Sequence, residues 1–237
     1  GGDRTNIELP KVQRNFLKAL KEAGKKVVFV NCSGSAIALT PETESCDAIL
    51  QAWYPGQEGG EAVARVLFGE YNPAGKLPIT FYKSSEQLPD FKDYSMKGRT
   101  YRYMNDALFP FGYGKSYTSF KIGDAQLSSS TLKKGEQIKL TVPVSNVGKK
   151  DGTEVVQVYV KDPSDTDGPL KTLKAYQRIE VKAGATAQAV ITLDSKNFEL
   201  FDAATNTVRA KAGNYEVYYG NSSADKDLKK IMVNYEY

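Results

Sequence analysis

The sequence predicts two domains of different fold class, an α/β domain with part of a parallel sheet followed by an all-β sandwich. Up to about residue 117, apolar residues recur with the period of helices or form short runs typical of buried strands. From Ser119 onward the helix period disappears and apolar residues recur at every second position within short runs, as in strands with one exposed face. A length of 237 residues fits two ordinary domains. We therefore expect domains at 1–117, including a connector, and 118–237.

In the first domain, segment 9–24 predicts an amphipathic helix, because Pro10 suits a first helical turn and Gly24 suits a helix end. The residues on its apolar face are Val12, Phe16, Ala19, Leu20 and Ala23. Buried strands are predicted at 26–31 and 48–53, with a helix at about 61–68 and a further strand at 77–81. The aromatic-rich stretches 99–104 and 108–114 are interpreted as extended chain or a hairpin. This alternation is typical of a parallel α/β layer.

The predicted parallel sheet is small. Two or three strands are fewer than the roughly five or six of a typical sheet. An exposed parallel edge favours pairing with a further strand. We expect that strand to come from a preceding segment, from residues absent from this sequence, or from a second copy of the chain in a homo-oligomer.

In the second domain, alternating apolar runs are separated by turns that contain Gly or Asn. These runs are Ile138, Leu140, Val142 and Val144; Val156, Val158 and Val160; and Tyr215, Val217 and Tyr219. Their spacing predicts about seven strands in an immunoglobulin- or fibronectin-type sandwich.

The composition excludes several classes of site. The chain has no histidine, so it cannot by itself hold a Ser-His-Asp or Cys-His catalytic group or a histidine-based zinc site. We expect neither a metal nor a cofactor. The net charge of +4 is spread along the chain, which argues against a nucleic-acid partner, and no apolar run is long enough for a membrane span. Cys32 and Cys46 are placed at opposite ends of neighbouring strands, too far apart for a disulfide.

Three residues are candidates for substrate binding. Trp53 ends a predicted strand, where open α/β sheets bind ligands; core packing is an equally good interpretation of its indole. Asp3 suits a sugar hydroxyl, but also a helix cap or an ion pair. Glu58 suits an acid catalyst, but a carboxylate before a helix more commonly stabilises the helix N-terminus. The loop at Ser33 lacks the spacing of a phosphate-binding loop and is interpreted as a turn.

Four blocks of residues in a fixed order carry a family resemblance. They are GDRTNIELP at 2–10, WYPGQEGG at 53–60, NPAGKLPITF at 72–81 and FPFGYGKSYT at 109–118. Together they resemble the C-terminal portion of family 3 glycoside hydrolases, the β-glucosidase and β-xylosidase group. VSNVGK at 144–149 and EVVQVY at 154–159 resemble that family's fibronectin type III-like domain.

The resemblance implies a retaining glycosidase that hydrolyses β-linked glucosides or xylosides with two carboxyl groups. It places the nucleophilic Asp in an N-terminal barrel and the acid/base Glu shortly before Asp3, so we expect no catalytic residue in this chain and no activity of the chain alone. The chain would supply scaffold and one wall of the sugar site, with the barrel as its partner. A periplasmic or secreted location is also implied.

A second hypothesis is a non-catalytic module that binds carbohydrate or protein. Its requirement is an exposed platform of aromatic side chains. The sandwich is rich in tyrosine, but strand alternation buries about half of the side chains. The candidates are Tyr159, Tyr176, Tyr215, Tyr218 and Tyr219.

Overall fold

A computed structural model describes residues 5–237 and divides them into two compact units. The first unit comprises the residues up to Tyr71 and Pro78–Phe111, and the second comprises Asn72–Leu77 and Gly112–Tyr237. The domain limits expected from the sequence, 1–117 and 118–237, stay a prediction.

The first unit is an α/β unit. Its elements in chain order are α1 (Lys11–Glu22), β1 (Val28–Asn31), α2 (Thr40–Ser45), β2 (Ala48–Gln51), α3 (Gly59–Leu67) and α4 (Thr100–Tyr103), with a 3-10 turn at Ser85–Gln87 between α3 and α4. The strands β1 and β2 pair in parallel, in a register that sets Val28 opposite Ala48 and Asn31 opposite Gln51. This pairing confirms the predicted parallel layer.

Helix α1 begins directly after Pro10 and ends before Gly24, which adopts a left-handed φ of 69°. Both end signals of the sequence are therefore confirmed. The predicted apolar face is largely open, however. Leu17 is buried, whereas Val12 is 75% exposed and Phe16 is 63% exposed. Within residues 5–237, most of the apolar stripe of α1 has no covering element.

Two sequence predictions in this unit are wrong, and one helix was not predicted. Segment 77–81 forms no strand, because Pro78 lacks an amide hydrogen for a ladder, and only Phe81 makes a single antiparallel bridge with Phe109. Segment 99–104 is not extended but holds the short helix α4. Helix α2 was not predicted, although Pro41 in its first turn is a helix-start signal.

The second unit is a sandwich of two sheets and a hairpin. Its strands are β3 (Phe120–Ile122), β4 (Gln126–Leu127), β5 (Thr131–Lys133), β6 (Gln137–Asn146), β7 (Gly152–Lys161), β8 (Thr172–Val181), β9 (Thr186–Asp194), β10 (Leu200–Asp202), β11 (Thr207–Arg209), β12 (Gly213–Gly220) and β13 (Leu228–Glu236), with 3-10 turns at Ser195–Phe198 and Asp225–Asp227. One sheet has the order β5-β13-β12-β7-β8. In the other, β3, β4 and β9 all pair with β6. Strands β10 and β11 form a separate hairpin. The sandwich is confirmed, with short additional strands beyond the seven predicted.

The sandwich core lies between the two sheets. Leu140 and Val142 of β6 are fully buried, as are Val158 of β7 and Val217 of β12. These belong to one apolar cluster drawn from both sheets. Each such side chain stabilises the fold by about 1.5–3 kcal/mol relative to exposure. The inward positions are those that the alternation predicted.

The two cysteines are both free. Cys32 follows β1 and is exposed, while Cys46 precedes β2 and is buried. Because the strands run in parallel, the residues lie at opposite ends of the pair, as predicted. Burial raises the pKa of the Cys46 thiol. Among residues 5–237, no helix is both long and apolar enough to cross a membrane.

Candidate functional site

The carboxyl ends of β1 and β2 bring two amide side chains together. Asn31 and Gln51 are register partners at the ends of these strands, and Nδ2 of Asn31 donates to Oε1 of Gln51 over 2.7 Å. Asn31 is almost fully buried. This edge is where parallel α/β sheets commonly bind ligands. Neither residue was identified from the sequence, although each is the polar residue that ends an apolar run.

Ser33 joins this pair from the following loop. Its Oγ accepts from Nδ2 of Asn31 over 3.0 Å and donates to the carbonyl of Ser35 over 2.9 Å. Nε2 of Gln51 also lies 3.3 Å from Oγ of Ser33. The loop is therefore a turn that side-chain hydrogen bonds fix in place, and its hydroxyl belongs to a polar cluster at the sheet edge.

Trp53 lies just beyond the end of β2 and is partly buried. Its φ of 57° is left-handed, a conformation that costs a non-glycine residue roughly 1–2 kcal/mol. The indole meets Phe81 edge to face at 6.1 Å between ring centroids, and Phe81 in turn meets Phe109 at 6.0 Å. Packing therefore holds Trp53 in place at the edge, and its role in substrate binding stays a prediction.

Tyr54 is the more exposed aromatic residue of this loop, at 78%. Its ring lies against Gly34, where an added Cβ would be 2.5 Å from Cε2 of the ring. Glycine at position 34 thus permits this approach. Tyr54 was not among the residues predicted from the sequence to bind substrate. A tyrosine next to the sheet's carboxyl edge was the available signal.

The structure gives less information on Glu58 and Asp3, the two acidic residues predicted to bind substrate. Glu58 directly precedes α3, is exposed, and makes no side-chain hydrogen bond to the first turn. It therefore adds no cap, and its role at a substrate stays a prediction. Asp3 lies outside the described residues.

Three other carboxylates of the first unit have structural partners. Glu8 accepts from the hydroxyl of Ser85 over 2.6 Å, a hydrogen bond that lowers the pKa of Glu8. Asp47 lies at the opposite, amino-terminal end of β2, where a hydrogen bond from the Val27 amide lowers its pKa. The buried Glu42 pairs with Arg14 at 2.8 Å. These groups are fixed in the scaffold.

The polar cluster at the carboxyl edge is chemically neutral. Amide and hydroxyl groups donate and accept hydrogen bonds but do not transfer protons near neutral pH. Together with partly exposed aromatic rings, they suit the binding of an uncharged polyol. In the part of the chain that the structure describes, no group of three or more acidic, Cys or His residues is arranged to hold a metal ion.

Two family profiles match this chain. Residues 1–117 match the profile described as "Glycosyl hydrolase family 3 C-terminal domain", and residues 154–223 match the "Fibronectin type III-like domain". Their order along the chain is the order of the two observed folds.

Curated relatives and solved structures agree with these profiles. The chain is 63% identical over 233 residues to a xylan 1,4-beta-xylosidase of Xylanibacter ruminicola, covering 98% of this chain and 27% of the relative. It is 38% identical to a periplasmic beta-glucosidase of Salmonella typhimurium, covering 93% of this chain and 31% of the relative. A solved beta-glucosidase from Listeria innocua in complex with glucose aligns with a TM-score of 0.84 at 29% identity, covering 100% of this chain and 34% of that one. The chain thus spans about a third or less of the length of these proteins.

Proposed function

This chain belongs to glycoside hydrolase family 3, as the C-terminal portion of such an enzyme, and from this we propose that the whole protein hydrolyses β-linked xylosides or glucosides. The observation that carries the proposal is the 63% identity to a xylan 1,4-beta-xylosidase over 98% of this chain. We place β-xylosides first among the substrates, because the similarity to the periplasmic beta-glucosidase is lower, at 38% identity.

The first unit is proposed to form one wall of the sugar site. Its carboxyl edge offers the neutral amides of Asn31 and Gln51 together with Trp53, and these groups suit sugar hydroxyls and a sugar ring. Asp3 and Glu58 are proposed as further contacts to the substrate. None of these roles requires proton transfer by the amide cluster.

The chemical step is proposed to use carboxyl groups outside this chain. A retaining mechanism needs a nucleophile and a general acid/base about 5–5.5 Å apart. The family resemblance assigns the nucleophilic Asp to a barrel domain and the acid/base Glu to a segment before Asp3. The isolated 237-residue chain is accordingly expected to be inactive.

The barrel-bearing part of the polypeptide is the proposed partner of the open α/β surface. The apolar stripe at Val12 and Phe16 is exposed, and the described sheet of the first unit contains only β1 and β2, so both of its edges are free. Exposed apolar patches and free strand edges commonly mark interaction surfaces. We propose that preceding residues of the same polypeptide add strands here; pairing with a second copy is the alternative. A periplasmic or secreted location is proposed from the periplasmic relative.

A chimeric enzyme tests the function. The C-terminal 27% of the Xylanibacter xylosidase is replaced by this chain, and turnover of an aryl β-xyloside and an aryl β-glucoside is measured. We expect activity with both, and a higher kcat/KM for the xyloside. The 237-residue chain alone is the first control.

The second control is the Xylanibacter enzyme truncated at the same position, which distinguishes restoration by this chain from activity of the remainder. A folded chimera without turnover would contradict the proposal and favour the binding-module hypothesis. Turnover by the isolated chain would contradict the assignment of the catalytic carboxyl groups.

A further inference from the structure

Two consecutive strands of the sandwich form a groove at its open side. β8 is the last strand of the five-stranded sheet, and β9 pairs with β6 in the other sheet. Residues 173–177 of β8 and 190–192 of β9 line a groove of about 560 Å³. This volume lies within the ~300–1,000 Å³ of small-molecule sites.

A β-bulge interrupts the edge of β8 inside this groove. Val158 of β7 lies opposite Ala175, but the next residue, Tyr159, lies opposite Leu173. Lys174 is therefore the extra residue of the bulge. Bulges bend a strand, break its ladder and protect an edge against strand addition. The groove is consequently a poor template for an extended peptide.

The bulge is fixed by the turn that follows β9. Nδ2 of Asn197 donates to the carbonyl of Lys174 over 2.9 Å, while Oδ1 of Asn197 accepts from the amide of Asp194 over 2.8 Å. The ammonium of Lys174 also donates to the carbonyl of Glu199. Asn197 thus ties the end of β9 to the bulge of β8, so the shape of the groove exists before any ligand binds.

The groove contains an acceptor that lacks a donor. Gln177 lies opposite the core residue Val156, which directs its side chain to the inner side of the sheet. Its Oε1 is buried without a hydrogen-bond partner among the described residues. The only other such side-chain atom in the described part of the second unit, Oγ1 of Thr172, is also on β8. Unpaired buried acceptors are costly, by about 1–3 kcal/mol. A ligand hydroxyl would supply the missing donor once rotation of the Gln177 side chain turns its amide toward the groove.

The rim of the groove is apolar and neutral. Tyr176 is 67% exposed and Val190 is 44% exposed, and the exposed Thr192 adds a hydroxyl. No carboxylate lines the groove, and the one ammonium group, that of Lys174, is already bonded to a carbonyl. The groove therefore offers an aromatic surface with neutral hydrogen-bonding groups. Tyr176 and Gln177 are adjacent on β8 and point to opposite faces of this edge strand. The groove therefore suits an oligosaccharide that crosses the edge, with one ring against Tyr176 and a hydroxyl of another ring toward Gln177.

We propose that the β8–β9 groove is a carbohydrate-binding site for a neutral, β-linked oligosaccharide. The choice of this ligand class rests on the proposed function, because a hydrolase of β-linked xylosides or glucosides meets such chains. All lining residues belong to the second unit, so no residue of the amide cluster at Asn31 lines this groove. Its role is to hold substrate chains without acting on them.

Binding of xylotetraose and cellotetraose to the 237-residue chain tests the proposal. Titration calorimetry is expected to give a millimolar Kd for at least one of them, and NMR shifts are expected at 173–177 and 190–192. Tyr176→Ala and Gln177→Met are each expected to weaken binding by about tenfold. Tyr237→Ala is the matched control, because Tyr237 is 68% exposed and is not part of the groove; it is expected to leave Kd unchanged.

Circular dichroism and thermal melts verify that each variant is folded. No binding by a folded chain at millimolar oligosaccharide would overturn the proposal, as would equal affinity in all three variants. Shifts that appear only outside the groove, or binding of a strand-forming peptide there instead, would also overturn it. These failures are distinguishable from failure of the proposed function, which is judged on turnover by the chimera.

Discussion

The ammonium of Lys76 lies 2.7 Å from Oε1 of Glu154, and only 13% and 5% of the two side chains are exposed. The same oxygen accepts a hydrogen bond from the amide of Val155 over 2.7 Å, and Oε2 of Glu154 accepts one from Nδ2 of Asn221 over 3.0 Å. The carboxylate is thus fully engaged inside the second unit. The pair fixes segment 72–77 to β7, far from it in sequence.

Removal of one charge of this pair should be strongly destabilising. Lys76→Met leaves Glu154 buried with its charge uncompensated, a change that costs about 3–5 kcal/mol. Urea unfolding followed by circular dichroism measures the loss. Lys182→Met is the control, because the pair of Lys182 with Asp151 is exposed and such pairs contribute little. Equal losses in both variants would contradict a buried role for Lys76.

Two facing glycines should respond very differently to a methyl group. A Cβ on Gly114 would be 2.2 Å from the backbone carbonyl oxygen of Gly75, whereas a Cβ on Gly75 would meet nothing within 4 Å. A backbone oxygen cannot rotate away as a side chain can. We therefore expect Gly114→Ala to lower the free energy of unfolding by about 3 kcal/mol, at the upper end of overpacking, and Gly75→Ala to be nearly neutral. Comparable unfolding midpoints for the two variants would disprove the close approach.

Asp162 should make stability dependent on acid pH. Burial acts to raise the pKa of its carboxyl, but hydrogen bonds from Lys211 and Ser164 outweigh burial and lower it. Because the folded pKa lies below the unfolded value of about 3.9, this stabilisation is fully present above that value and is lost as pH falls through the folded pKa. The stability difference between the wild type and Asp162→Asn should therefore be constant near pH 6 and shrink below about pH 4. A stability difference between the two proteins that grows as the pH falls would contradict a lowered pKa of Asp162.

Local sequence signals predicted most of the helices and strands, and a local signal also explains one exception. Pro10 and Gly24 mark the ends of α1 as expected, and the alternation at Leu140 and Val142 gave the inward face of β6. Segment 77–81 has a strand-like pattern, but Pro78 cannot donate to a ladder. That exception could have been foreseen from the residue type itself.

The site was less predictable than the fold, since it depends on register. The side chains of Asn31 and Gln51 are 20 residues apart, and only the parallel pairing sets them opposite one another. The bulge at Lys174 depends likewise on the alignment of β7 with β8, which no short pattern in either strand specifies. Trp53 could be proposed as a substrate-binding residue from the sequence, because ligands commonly bind at the ends of parallel strands. Its left-handed backbone has no sequence signature, since glycine is the usual residue there.

Trp53 provides the test of the proposed sugar-site wall. In the chimeric enzyme, Trp53→Phe removes part of the indole face but keeps an aromatic ring against Phe81. If the indole contacts sugar equally in the ground state and the transition state, KM for the aryl β-xyloside should rise about tenfold with kcat nearly unchanged. Steady-state kinetics measures both constants.

Phe81→Leu separates this effect from simple packing. Phe81 is 1% exposed and meets the same indole edge to face, so the substitution should lower the melting temperature without a comparable change in KM. A role of Trp53 in packing alone would give the two variants the same pattern, a loss of stability with KM preserved. A tenfold rise in KM in Trp53→Phe alone therefore assigns the indole to substrate binding, because both variants weaken the same ring contact.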